Sequence, residues 1–198
     1  MTAQLHDTVE YRKHVFELAG VQGTRLFEPS AHGLTPWAMS TACQRGFLCR
    51  YRVADKRLML EELRIGLSAQ AEQAVREGQG TPLSGQLPTY SSETHERVVY
   101  TRLRAPMDFT GGLLVVDGFN RRAPFHEGLH PAWGRKRVQE LLFEGGRLVE
   151  ERDCDGVVAR VHEQAREKSL ELELAPHRAL VAQWLADAFR RDYTPSAE

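Results

Sequence analysis

Apolar and polar residues alternate along much of this chain, and a period of two is typical of half-buried β-strands. Residues 43–53 show the alternation clearly: the apolar set is Cys43, Phe47, Cys49, Tyr51 and Val53, and the polar set is Gln44, Arg50 and Arg52. A turn at residues 54–56 leads into the apolar-rich stretch 57–65. The pattern predicts a first hairpin over residues 43–65.

Further strands are predicted on both sides of this hairpin. Residues 138–153 form a second hairpin around Gly145 and Gly146, which supply the positive φ of a tight turn. Residues 97–105 are rich in β-formers, and 113–119 follow Gly111-Gly112, with a turn expected at Asp117-Gly118. Near the start, 8–18 and 24–28 are expected to form one strand each.

Two segments favour helices, and one is ambiguous. Residues 68–78 predict a short helix that ends at Gly78. Residues 176–191 predict a C-terminal amphipathic helix, whose apolar stripe is Leu180, Val181, Trp184, Leu185, Ala188 and Phe189. Residues 157–168 fit both a strand and a helix. Between the helix at 68–78 and the next strand, residues 78–94 are rich in Gly, Pro, Ser and Thr and predict a long exposed loop.

Together these elements predict a mostly β (α+β) fold in a single domain over residues 1–198. The sheet is expected to be an antiparallel β-barrel or a strongly curved sheet, with the C-terminal helix packed against it. The pattern does not decide whether the barrel closes, because periodicity reports which residues share a face and not which strands pair.

Composition narrows the class of protein. Apolar residues make up 41% of the chain and charged residues 27%, as in soluble globular proteins. The net charge of −1 is too balanced for a protein that coats nucleic acid or a membrane surface non-specifically, so we expect neither partner. Residues 1–11 lack the apolar stretch of a signal peptide, and three cysteines make no disulfide framework. We therefore expect a cytoplasmic protein in which Cys43 and Cys49 are small core residues.

The stretch "HEGLH" matches the H-E-x-x-H pattern of zinc peptidases through His126, Glu127 and His130. That site needs a helix, so that histidines four residues apart chelate one ion. Pro131 pushes His130 out of the helical region, and Gly128 costs about 1 kcal/mol of helix stability relative to Ala. We expect a loop in which His126 and His130 point into solvent or a cleft and bind no catalytic metal. A non-catalytic metal contact at His126 and His130 is the open alternative for this loop.

Paired arginines are the other candidate site. Arg50 and Arg52 share one predicted strand face, and Arg102 and Arg104 share another. With Trp133 they are candidates for binding a carboxylate or a phosphate, although a solvated face balanced by the glutamates is the preferred interpretation. The chain has no G-x-S-x-G elbow and no Gly-rich phosphate loop, so no cofactor is expected.

One motif carries a resemblance. Ala42, Cys43, Arg45, Gly46 and Phe47 form an A-C-x-R-G-aromatic strand, and a T-G-G-L segment follows at residues 110–113. In these segments the chain resembles a group of uncharacterised bacterial proteins. The resemblance implies a bacterial, β-rich domain and no particular activity.

The favoured hypothesis is a non-enzymatic β-rich binding module for a small molecule or a partner protein. It rests on the strand-rich pattern and on the lack of a complete catalytic set. The alternative is a hydrolase that uses a divalent metal at His126, Glu127 and His130. The sequence predicts no particular oligomeric state.

Overall fold

A computed structural model describes residues 5–91, 98–119 and 135–156 of this chain. These described residues form ten strands in one sheet, which confirms the prediction of a mostly β fold. The strands are β1 (Thr8–Tyr11), β2 (His14–Gly23), β3 (Phe47–Ala54), β4 (Arg57–Ile65), β5 (Thr89–Tyr90), β6 (Val98–Tyr100), β7 (Ala105–Pro106), β8 (Gly111–Phe119), β9 (Arg135–Glu144) and β10 (Arg147–Asp153). A 3-10 helix (Pro29–His32) and an α-helix, α1 (Ala69–Arg76), complete these elements.

Seven of the strands close into a barrel. They follow the order β10-β9-β8-β2-β1-β3-β4, and β4 returns to β10 where Arg57 pairs with Arg147. Two backbone hydrogen bonds flank that pair, from Leu58 N–H to the carbonyl of Gly146 (2.9 Å) and from Leu148 N–H to that of Lys56 (2.8 Å). All neighbours are antiparallel except β1 and β3, which run parallel. Strands β6 and β7 pair with β4, and β5 pairs with β6.

Three hairpins of the barrel turn through two residues with positive φ: Arg12-Lys13, Asp55-Lys56 and Gly145-Gly146. Such turns match the twist of the strands that they join. The last two were predicted, but the first was not, because Arg-Lys lacks the Gly or Asn that usually marks this turn. The prediction of one strand over 8–18 is therefore wrong: these residues form the hairpin of β1 and β2, and residues 24–28 are not a strand.

The turn expected at Asp117-Gly118 is also absent, since β8 continues to Phe119. Pairing with β9 over the whole of β8 holds this segment extended. A Gly-containing pair signals a turn only where no neighbouring strand supplies hydrogen bonds to straight backbone. Pairing between β8 and β9 therefore outweighs the turn preference of Asp117-Gly118.

A bulge in β4 aligns its apolar side chains with the barrel interior. Arg50 pairs with Glu62 and Tyr51 with Leu60, so that Glu61 is an extra residue. The extra residue changes the phase of the alternation. As a result two apolar residues before Glu61 and two after it are all buried: Leu58, Leu60, Leu63 and Ile65.

Side chains fill the interior of the barrel. The largest of the fully buried ones are aromatic: Tyr51, Tyr100, Phe109 and Phe143. A barrel of about this strand number is just wide enough to be filled by its own side chains. Cys43 and Cys49 are buried free thiols, which confirms the expectation that these two serve as small buried residues, and Cys154 is a buried free thiol as well.

Helix α1 confirms the helix predicted over residues 68–78. Ser68 caps its first turn by accepting a hydrogen bond from the N–H of Ala71, and Gly78 follows its end with φ +74°. In the stretch that follows, Gly80, Leu83 and Pro88 are buried, and Tyr100 OH donates to the carbonyl of Thr81 (2.7 Å). This stretch is thus anchored to the barrel at several points while most of its other side chains are exposed.

The predicted C-terminal helix at 176–191 and the ambiguous segment 157–168 lie outside the described residues. Within those residues, no helix has both the length and the apolar character needed to cross a lipid bilayer.

Candidate functional site

A cleft lies at the end of the barrel where β3 begins and β4 ends. Its volume is about 200 Å³, and its walls come from residues 33–37, from 67–74 and from 79–81. The apolar part of the lining is Leu34, Trp37, Leu67, Ala71 and Ala74. Small side chains on α1 leave the space open, and the polar atoms come from Thr35, Ser68, Gln79 and Thr81. The lining is therefore about as polar as it is apolar, and it can contact an apolar group while also offering hydrogen bonds.

Trp37 is the largest side chain of the cleft, and 59% of its surface is exposed. Its backbone is held tightly. The N–H of Trp37 donates to the carbonyl of Gly66 (2.9 Å), and a Cβ atom added at Gly46 or Gly66 would lie 2.4 Å from the carbonyl oxygen of Trp37. Only glycine allows such an approach of one backbone to another. The barrel therefore holds the backbone of Trp37 in a fixed position, and the side chain is partly in solvent.

An ion pair anchors the loop that packs against the backbone of Trp37. The guanidinium of Arg45 binds the carboxylate of Asp7, which also accepts the N–H of Cys49 (2.6 Å). Arg45 Nε donates to the carbonyl of Phe47 (2.8 Å), and the guanidinium lies 4.6 Å from the centre of the Phe47 ring. Burial raises the pKa of Asp7, and the charge of Arg45 opposes that shift. These contacts tie the start of β3 to the segment that precedes β1.

The same contacts give the A-C-x-R-G-aromatic motif a structural role. Cys43 is buried, Arg45 forms the ion pair, and Gly46 adopts φ +80° beneath Trp37. The motif thus fixes the loop that carries Trp37. The resemblance to bacterial proteins that it suggested stays a prediction.

The structure brings Arg50 and Arg52 together and surrounds them with carboxylates. Both guanidinium groups bind Glu10 Oε2, at 2.7 Å and 3.1 Å, and Arg52 lies 3.7 Å from Glu61. The hydrogen bond from Arg50 is the main cause of the lowered pKa of Glu10, and the hydrogen bond to Glu10 raises the pKa of Arg52. The two arginines are therefore largely neutralised on the outward face of β3.

Arg102 and Arg104 do not lie on a strand face, contrary to the expectation from sequence. They belong to the segment between β6 and β7, with φ of 55° and 47°, and both are exposed. Leu103 between them is buried, and its N–H donates to the carbonyl of Glu61 (3.0 Å). The β4 bulge opposite this segment interrupts regular pairing, so the chain turns Leu103 inward and leaves both arginines in solvent.

The remaining predicted site residues, His126, His130 and Trp133, lie outside the described residues. Within residues 5–91, 98–119 and 135–156, no three His, Cys, Asp or Glu side chains converge to hold a metal ion. The metal-dependent hydrolase therefore gains no support from the described residues.

Trp37 was not among the site residues predicted from the sequence. The available signal was an aromatic residue after Thr35-Pro36, in a stretch that predicts neither strand nor helix. Large aromatic residues in irregular segments are good candidates for binding surfaces, since loops carry function more often than regular elements do.

Comparison with protein-family models, with curated proteins and with solved structures finds no match for this chain.

Proposed function

We propose that this barrel is a binding module that holds an apolar side chain of a partner protein in the cleft beside Trp37. The observation that carries the proposal is an exposed tryptophan whose backbone is fixed between Gly46 and Gly66. Tryptophan is enriched among the residues that dominate binding energy at protein interfaces. Because the backbone of Trp37 is already held in place, only its side chain loses conformational freedom on binding, which favours affinity.

The size of the cleft favours a protein partner over a free small molecule. Sites for small molecules usually enclose about 300–1,000 Å³. The cleft of about 200 Å³ is smaller than that range and fits one apolar side chain or ring. A single group of this size binds weakly alone, so a useful affinity requires further contacts with a larger surface around the cleft. The filled interior of the barrel likewise favours binding at its surface.

The proposal is tested by nuclear magnetic resonance titration of the whole chain with N-acetyl-leucinamide and N-acetyl-phenylalaninamide. We expect millimolar binding, with the largest shifts at the indole N–H of Trp37 and at the amides of Ala71 and Gly80. Trp37→Ala should abolish these shifts. Val15→Ala should preserve them, because Val15 is also exposed and apolar but is not among the residues that line the cleft.

Shifts that scatter over the surface, or that survive in Trp37→Ala, would contradict the proposed site. A test at the protein level uses the same two variants as baits in affinity purification. A specific partner should be retained by the wild type and by Val15→Ala and lost with Trp37→Ala.

A further inference from the structure

The outward face of β8 and β9 is apolar, unlike the charged outward face of β3. Register places Val116 opposite Val138 and Leu114 opposite Glu140, so these residues share one face of the sheet. The buried residues of this outer face are Leu114, Val116, Val138, Leu142 and Cys154, together with Glu140, and each is at most 5% exposed. None of the six belongs to the cluster that fills the barrel interior.

Sheet neighbours do not account for the burial of this outer face. Among the described elements, β8 makes extensive contacts only with β2 and β9, and β9 only with β8 and β10. Those strands lie beside β8 and β9 in the sheet and cover their edges. Side chains that point away from the barrel need another layer to bury them.

The chain leaves the described residues beside this outer face. After β10, the N–H of Cys154 donates to the carbonyl of Val138 (2.8 Å), and Asp155 Oδ1 accepts the N–H of Val138 (2.7 Å). Residues 157–198 therefore start next to a member of the outer face. The nineteen residues from 157 to 175 can span up to about 60 Å when extended, far more than the face requires.

We propose that residues 176–191 dock on the outer face of β8 and β9 as an amphipathic helix. A helix of about 15 residues is about 22 Å long, and five strand residues such as 138–142 span about 16 Å, so one such helix covers the face. The apolar stripe of the segment, with Trp184 and Phe189, supplies the layer that the outer face needs. Glu140 fits this arrangement because Arg152 pairs with its carboxylate (3.3 Å) and offsets its charge.

The first test is a double-mutant cycle in the full chain, measured as the midpoint of urea unfolding. Leu142→Ala and Trp184→Ala should be non-additive, with the double variant losing less than the sum of the two single losses. Leu141→Ala is the matched control, because Leu141 is the next residue of β9 and points into the barrel. The stability losses of Leu141→Ala and Trp184→Ala should be additive in the corresponding double variant. Additivity for both pairs would overturn the proposal.

A second test does not depend on the stability of alanine variants. Trp184 is replaced by the photo-crosslinking residue p-benzoyl-phenylalanine, and the irradiated protein is digested and analysed by mass spectrometry. The proposal expects crosslinks within one chain to peptides that contain residues 112–117 or 138–142. Crosslinks to other peptides, or between two chains, would show that the helix docks elsewhere or on a second copy, and either result would overturn the proposal.

Discussion

The carboxylate of Asp7 and the guanidinium of Arg45 form an ion pair in which both side chains are largely buried, at 6% and 17% exposure. The pair joins the segment before β1 to the loop before β3, 38 residues apart in the chain. The same loop packs Gly46 against the backbone of Trp37, so the ion pair helps to hold the loop that contacts this residue of the proposed binding cleft.

Removing one partner of this pair should be strongly destabilising. Asp7→Ala leaves the Arg45 charge and the N–H of Cys49 without their acceptor, and we expect a loss of about 3 kcal/mol in the free energy of unfolding. Arg12→Ala is the control, because Arg12 pairs with Glu151 at the exposed surface and should cost at most about 1 kcal/mol. If Asp7→Ala and Arg12→Ala lowered the unfolding free energy equally in urea denaturation, the buried ion pair would stabilise the fold no more than the exposed one.

The close approach of Gly46 to Trp37 gives a second prediction. Gly33 and Gly46 both have positive φ, at +74° and +80°, so alanine brings similar backbone strain of about 1 kcal/mol to each. At Gly33 the added Cβ meets nothing within 4 Å, whereas at Gly46 it meets the carbonyl oxygen of Trp37 at 2.4 Å.

We therefore expect Gly46→Ala to cost about 2 kcal/mol more than Gly33→Ala in urea denaturation, because backbone must shift to relieve the overlap. Gly46→Ala should also change the iodide quenching of Trp37 fluorescence. A Gly46 variant as stable as the Gly33 variant would mean that the loop adjusts freely and does not fix Trp37.

The pairing of Glu10 with Arg50 predicts a pH dependence of stability. The pKa of Glu10 is lowered in the folded protein, chiefly by the hydrogen bond from Arg50. The ionised Glu10 side chain therefore adds its full contribution to the unfolding free energy above pH 4.5, the ordinary pKa of glutamate. This contribution is lost as the pH falls through the lower pKa that Glu10 has in the folded protein. The arginines are 41% and 36% exposed, so we expect at most about 1 kcal/mol at neutral pH.

Glu10→Gln should accordingly lower the unfolding free energy at pH 7 by up to about 1 kcal/mol and have a smaller effect at about pH 3. Glu144→Gln, at an exposed residue at the end of β9, is the control at both pH values. A loss for Glu10→Gln that grows as the pH falls would contradict the assigned sign.

The histidine motif gives a prediction that rests on sequence alone. Protein purified without a histidine tag should contain no stoichiometric zinc, and alanine at His126 or His130 should leave the melting temperature nearly unchanged. The reason is that Pro131 and Gly128 oppose the helix that a chelating pair needs. A melting temperature that falls in the variants, and that zinc raises in the wild type, would favour the hydrolase alternative.

The sequence by itself determined those strands, turns and the helix that depend only on residues close together in the chain. The alternation in residues 43–53 identified the buried face of β3, and Asp55-Lys56 and Gly145-Gly146 marked their turns, since side-chain direction and turn geometry depend on adjacent residues. Ser68 and Gly78 marked helix α1 for the same reason.

Only the tertiary structure decided how the barrel closes and where the cleft lies. Closure depends on Arg57 pairing with Arg147, and the direction of Arg102 and Arg104 depends on the β4 bulge opposite them. The fixed position of Trp37 depends on Gly46 and Gly66, which β3 and β4 bring together. These features arise from contacts between residues far apart in the chain, and a local period of two carries no information about which distant segments meet.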